Sequence, residues 1–370
     1  MQPDATGPVS PSARGSVSAP PRSGGRTDRG LPVNWTLAAA TAARLVPAGP
    51  RTSPAEANEL VERLRVDSAA AEGHVRDVTG MGHGLPLLPA DVVDRPAWAR
   101  AAVMGMDALT SDAELPATPR VMRAVTETGA GVQLGALLAY MGGRVLGQYD
   151  PFGGADGAGR LMLVAPNVHA ARAALDVDGP QFGLWVCLHE ATHRLQFTAV
   201  PWLRDFFADQ VTRLLSLQEP DTAKLGRLPE AIRALRAESG DKRDVLALVE
   251  LLQGPEQRQV LDRLLALSTL LEGHADHVMD AAGPAVVPDV ATIRARFTER
   301  RRGGGFLDRL LRTLLGVEAK MRQYAVGAAF CREVDAAVGM AGLNRVWESP
   351  ETLPTRAELA TPADWLRRVG

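Results

Sequence analysis

Gln181-Phe182-Gly183-Leu184-Trp185-Val186-Cys187-Leu188-His189-Glu190-Ala191-Thr192-His193-Arg194-Leu195-Gln196-Phe197 is the stretch on which the reading turns. Within it, His189 to His193 form an H-E-x-x-H pattern. Residues four apart on an α-helix stack on one face, so the two imidazoles can aim at one metal ion. Glu190 lies about 100° round the helix. That puts it beside such an ion without ligating it, where a general base for an attacking water belongs. Phe182, Leu184, Trp185, Val186, Leu188, Leu195 and Phe197 make the segment apolar almost all round, the mark of a buried central helix.

Two histidines hold zinc weakly; a catalytic site has three protein ligands and one open position. The best source of the third is Leu271-Glu272-Gly273-His274-Ala275-Asp276-His277, inside a helical pattern that Gly254-Pro255 opens and that runs to about Ala281. Glu272 and Asp276 are four apart and share a face. His274 and His277 stand roughly 200° and 140° from Glu272. Glu272 is therefore expected as the ligand, with His277, Asp276 and His274 as its rivals. Asp276, one turn on, can accept the hydrogen bond from the outer nitrogen of a ligating histidine and hold its tautomer. His277 is a further candidate for binding substrate or an oxyanion, although a polar helix face near the site is the plainer role for it and His274. Tyr324 can donate to a tetrahedral intermediate, but a helical tyrosine more often simply packs. His74, His83 and His169 have no partner at ligand spacing.

The rest of the chain bounds this chemistry. A formal net charge of −2 over 370 residues suggests neither a nucleic-acid partner nor a membrane surface. Cys187 and Cys331 form no C-x-x-C pair and read as buried core thiols. Residues 1–30 are rich in Pro, Ser, Gly and Arg, with almost no aliphatic side chains, and are expected to be disordered. They lack the apolar core of a secretory signal, and no apolar run is long enough to cross a bilayer, so a cytoplasmic protein is expected.

Residues 31–370 read as one mainly α domain with a minor β element, divided into a helical part at about 31–158 and the zinc-site part at about 159–370. Ser53, Pro54 and Glu56 form a helix start. Further helices are expected at about 35–46, 95–110, 118–128, 131–147, 202–217, 228–237, 242–253, 288–301 and 306–338, with a flexible break at Gly303–Gly305. The one convincing strand is Leu161–Ala165, closed by Pro166-Asn167 and preceded by a turn at Tyr149–Gly154.

H-E-x-x-H followed by E-x-x-x-D resembles the gluzincin metallopeptidases of the thermolysin and neprilysin type. That resemblance implies His189, His193 and Glu272 as ligands of Zn2+, Glu190 as the base and Asp276 as the partner of His189. The interval from His193 to Glu272 is longer than in thermolysin, so this likeness covers the site and not the fold. Over nearly the whole body the chain resembles a bacterial family of zincin-like metallopeptidases, long a domain of unknown function, one branch of which is labelled coenzyme F-420 biosynthesis associated. The residues that carry it are Trp35…Leu45-Val46-Pro47, Tyr149-Asp150-Pro151-Phe152, Leu163–Asn167, the two zinc segments, and the tail Lys320…Gln323-Tyr324…Phe330…Asn344…Trp347-Glu348-Ser349-Pro350…Leu353-Pro354. It implies a helical zincin-like fold and a hydrolase. The expected reaction is hydrolysis of a peptide or small amide, with Glu190 taking the water's proton and the edge of strand Leu161–Ala165 pairing with an extended substrate. The competing readings are a zincin scaffold that binds or regulates without cutting, and a hydrolase for a small amide or phosphoester in cofactor metabolism.

Overall fold

Local signals decide where the helices begin. Ser53 Oγ accepts the Glu56 N–H at 3.2 Å while the Glu56 carboxylate accepts the Ser53 N–H at 2.9 Å, a reciprocal cap with Pro54 in the first turn. Asp94 and Asp178 cap two later helices by accepting from Ala97 and Gln181 at 2.7 and 3.0 Å. The computed structural model describes residues 27–116, 120–154, 159–217, 254–302 and 317–370. The helices among them are α1 (Trp35–Leu45), α2 (Pro54–Thr79), α3 (Arg95–Thr110), α4 (Arg120–Gly142), α5 (Ala165–Leu175), α6 (Gly179–Thr198), α7 (Leu203–Ser216), α8 (Pro255–Val286), α9 (Val290–Arg302), α10 (Val317–Leu343), α11 (Arg356–Ala360) and α12 (Pro362–Val369). The strands are β1 (Thr27–Arg29), β2 (Asp91–Val93), β3 (Glu114–Pro116), β4 (Gly147–Asp150) and β5 (Arg160–Val164). The fold is mainly α with a small β element.

β5 is the centre of a three-stranded sheet, parallel to β2 on one side and antiparallel to β4 on the other. Its side chains alternate between two cores. Leu161 and Leu163 join the core around α2, α5, α6 and α8, whereas Met162 and Val164 join the core formed with α1, α3 and α4. A third core gathers α7, α8, α10 and the C-terminal helices around Leu270, Phe330, Trp347 and Trp365. The sheet thus takes β2 and β4 from the part expected at about 31–158 and β5 from the start of the part expected at about 159–370.

Several expectations change. Because β5 is central, both its edges are taken, so it cannot pair with a substrate; among the described residues the strands of this sheet with only one paired edge are β2 and β4. Pro166 and Asn167 do not merely close β5 but lie in the first turn of α5. The region of 118–147 expected as two helices is one, α4, and leaves the helix early to form β4. Gly131 and Gly135 do not break α4, because they allow it to lie against Asn34, Ala38 and Thr41 at the start and side of α1. Residues 27–29, expected in a disordered tail, pair antiparallel with β3 as β1. The helices expected near 228–237 and 242–253, the break at Gly303–Gly305, residues 306–316 and the tail 1–26 lie outside the described residues.

Candidate metal centre

α6 is buried on nearly every side, and the two histidines of its pattern meet α8 where Glu272 stands. His189 Nε2 and His193 Nε2 are 3.2 Å apart, and Glu272 Oε2 lies 3.5 Å from the first and 3.8 Å from the second. A tetrahedral ion with bonds of about 2.0–2.2 Å needs ligand-to-ligand edges of roughly 3.4 Å. The three edges found here fit that requirement, and two imidazoles with one carboxylate are a donor set suited to zinc. Among the described residues these three form the one His/Cys/Asp/Glu group whose ligand atoms all lie within 4.8 Å of one another.

Glu190 is buried beside the cluster. Burial raises its pKa first of all, with the Glu272 charge adding to the rise, while the two imidazoles and the Tyr149 backbone N–H act against it. That N–H comes from β4. Val164 donates to the Leu146 carbonyl at 2.8 Å, so the alternation of an antiparallel ladder turns the peptide groups of Gly147 and Tyr149 away from β5. Tyr149 then donates to Glu190, and Gly147 lets the strand approach: a methyl group there would lie 2.6 Å from Glu190 Cγ.

Electrostatics knit the cluster together. Burial pulls the Glu272 pKa up, but hydrogen bonds and charge from His189 and His193 outweigh it and hold the carboxyl well below its ordinary range. For His193 burial acts downward, yet Glu272, Glu190 and Gln196 together raise its pKa to about 9. Fully buried His274 is held down to about 3 by burial first and then by His277 and His193, so it is neutral.

The other expected site residues fall elsewhere. Asp276 does not reach His189. Arg294 of α9 claims it, with Nη2 at 3.8 Å from its carboxylate and 3.2 Å from its backbone oxygen, and also reaches Asp280 at 3.0 Å. His277 turns to α10, where its Nε2 lies 3.0 Å from Asp335 Oδ2. The side chain of Tyr324 lies outside the described residues.

A family model described as zincin-like metallopeptidase matches residues 33–366. The chain belongs to this family. It is also similar to a crystal structure from Chloroflexus aurantiacus, provisionally described as a hydrolase with a novel fold, at 30% identity and a TM-score of 0.62, covering 91% of this chain and 98% of that one. No curated protein matches it. For this zincin-like chain, no described helix is long and apolar enough to cross a membrane.

Sequence reading overlooked two supports of the site. Gln196 stands one turn beyond His193 and touches it, a relation that i, i+3 spacing contains. Arg194 follows His193 directly and is buried against Glu72 of α2 at 2.7 Å, while Glu72 also binds Arg76 at 2.6 Å. The two arginines hold the loop after α2 through the carbonyls of Leu85, Pro86, Leu88 and Pro89. An Arg inside an apolar helix is the signal that was there to be used, because a buried charge requires a partner.

Proposed function

We propose that this zincin-like protein is a zinc-dependent hydrolase of peptide or amide bonds, with His189, His193 and Glu272 as ligands and Glu190 as the base. The closure of three donor atoms at 3.2, 3.5 and 3.8 Å, with a buried glutamate beside them, carries the reading. A zinc ion in this position supplies Lewis acidity and brings the pKa of water down to near 7. Glu190 receives the proton of the attacking water and hands it to the leaving nitrogen. The Tyr149 N–H holds the carboxylate in place until then.

The substrate side follows from β4. Its outer edge, unpaired among the described residues, runs past Glu190; with the Tyr149 N–H given to that carboxylate, the Gly147 peptide groups and the Tyr149 carbonyl remain for an extended peptide to add through main-chain hydrogen bonds. Tyr324 is the candidate donor to the oxyanion. A role as a scaffold that binds without cutting leaves the buried Glu190 without a use.

The test is zinc content together with chelator-sensitive cleavage of a peptide library made from denatured proteins, with small amides assayed in parallel. One zinc per chain and cleavage of peptides are expected. A protein that holds zinc and cleaves neither substrate class is a scaffold, and the proposal then fails.

A further inference from the structure

We infer that Gln196 is a positioning residue that selects which His193 nitrogen is offered to the metal, an inference that rests on the metal-site reading above. Gln196 has no exposed surface, and all of its amide contacts are to protein groups around the site. Its Oε1 lies 2.9 Å from His193 Nδ1, and its Nε2 lies 2.9 Å from the Leu271 carbonyl oxygen and 3.1 Å from His274 Nδ1.

The chemistry of those partners permits one arrangement. A backbone carbonyl oxygen can only accept, so the end of the amide facing Leu271 must be its NH2 group. The other end is then the oxygen, which can only accept in turn, and His193 Nδ1 must carry the hydrogen. In the neutral ring that a metal requires, His193 Nε2 is then the nitrogen left with its lone pair, directed at the space it shares with His189 and Glu272. The second amide hydrogen goes to His274 Nδ1, which has to be the unprotonated nitrogen of that ring. Flipping the amide would set oxygen against oxygen at Leu271, so the orientation is locked.

Leu271 directly precedes Glu272, so the same side chain also ties α6 to the turn of α8 that carries the third ligand. Gln196 therefore does for His193 what Asp276 was expected to do for His189, with a neutral amide in place of a carboxylate. A partner of this kind holds the ring orientation as well as the tautomer.

The full chain tests this with two substitutions, Gln196→Met and Gln196→Glu. Met preserves volume and removes every hydrogen bond, whereas Glu keeps the acceptor for His193 and places a charge in a buried position. If Gln196 positions the ligand, Met weakens zinc in a chelator competition by about 10–100-fold, and Glu binds more tightly than Met. If Gln196 only fills space, Met matches the parent and Glu is the worse variant, which overturns the inference. Glu binding no more tightly than Met also overturns it. Nitrogen spectra of the zinc-loaded parent give a second reading that needs no variant: zinc on His193 Nε2 with a proton on Nδ1 is expected, and coordination through Nδ1 contradicts it. Unaltered zinc binding in the Met variant removes this inference alone, whereas a parent that takes up no zinc removes the metal site with it.

Discussion

Gly273 of α8 and Gly327 of α10 meet backbone to backbone: a methyl group on either would overlap main-chain atoms of the other helix. Such close crossing requires residues without a Cβ. Because Gly273 is the neighbour of Glu272, the crossing sets how far the third ligand stands from the two histidines.

Gly327→Val is therefore expected to part the two helices, since its side chain would meet the Thr269 carbonyl oxygen. Overpacking of this kind costs about 1–3 kcal/mol. A lowered melting temperature together with weaker zinc binding in a chelator competition is the expected outcome; parent-like zinc affinity would show that Glu272 is placed by other contacts.

Gly147→Ala addresses the base and not the ligands. The added methyl would lie 2.6 Å from Glu190 Cγ and must displace that side chain. A displacement of about 1 Å at a reacting group can cost on the order of 100-fold in rate. Steady-state kinetics should show kcat reduced with zinc affinity retained, and an unchanged kcat would separate Glu190 from the chemistry.

Zinc uptake should depend on pH through His193. Its pKa is raised to about 9 before an ion binds, so zinc must displace a proton at neutral pH. Glu272, held well below its ordinary range, has no proton to lose there. Apparent affinity is expected to climb by up to about tenfold per pH unit toward pH 9 and then level off. Zinc titrations from pH 6.5 to 9.5 check this, and a flat profile contradicts it.

Asp67 of α2 faces Gly183 of α6, with one carboxylate oxygen buried and unpartnered. Burial raises its pKa from 3.8 to about 6 against the opposing charge of Arg63. The folded value exceeds the unfolded one, so the fold is favoured by the protonated acid: that contribution is whole below pH 3.8 and is lost as pH rises through about 6. Asp67→Asn should gain about 1–3 kcal/mol at pH 7 and nothing at pH 3.5, measured by denaturant unfolding. An equal gain at both pH values would assign the effect to packing.

The elements that could be read from sequence are those whose signals are local. The cap at Ser53, the apolar wrapping of α6 and the four-residue spacing of its histidines all act within one helix. Glu272 was legible because it stands four residues before Asp276 on one face of a single helix, an E-x-x-x-D pattern that follows the H-E-x-x-H segment. β4 was not: Gly147-Gln148-Tyr149-Asp150 has no apolar run and is a strand only because β5 lies beside it. The partner of Asp276 was equally hidden, since Arg294 arrives from α9 after the chain has turned at Gly283, a left-handed position with φ 60°. Spacing along a single helix cannot show which arginine reaches a carboxylate from outside it.

Glu190→Gln, set beside His193→Ala, tests the central claim most directly. Zinc content and peptide hydrolysis are measured on both proteins. Glu190→Gln is predicted to keep one zinc per chain and lose hydrolysis, because the amide cannot take a proton from water, while His193→Ala loses the metal and the activity together. A Glu190→Gln protein that hydrolyses peptides as fast as the parent would contradict the account.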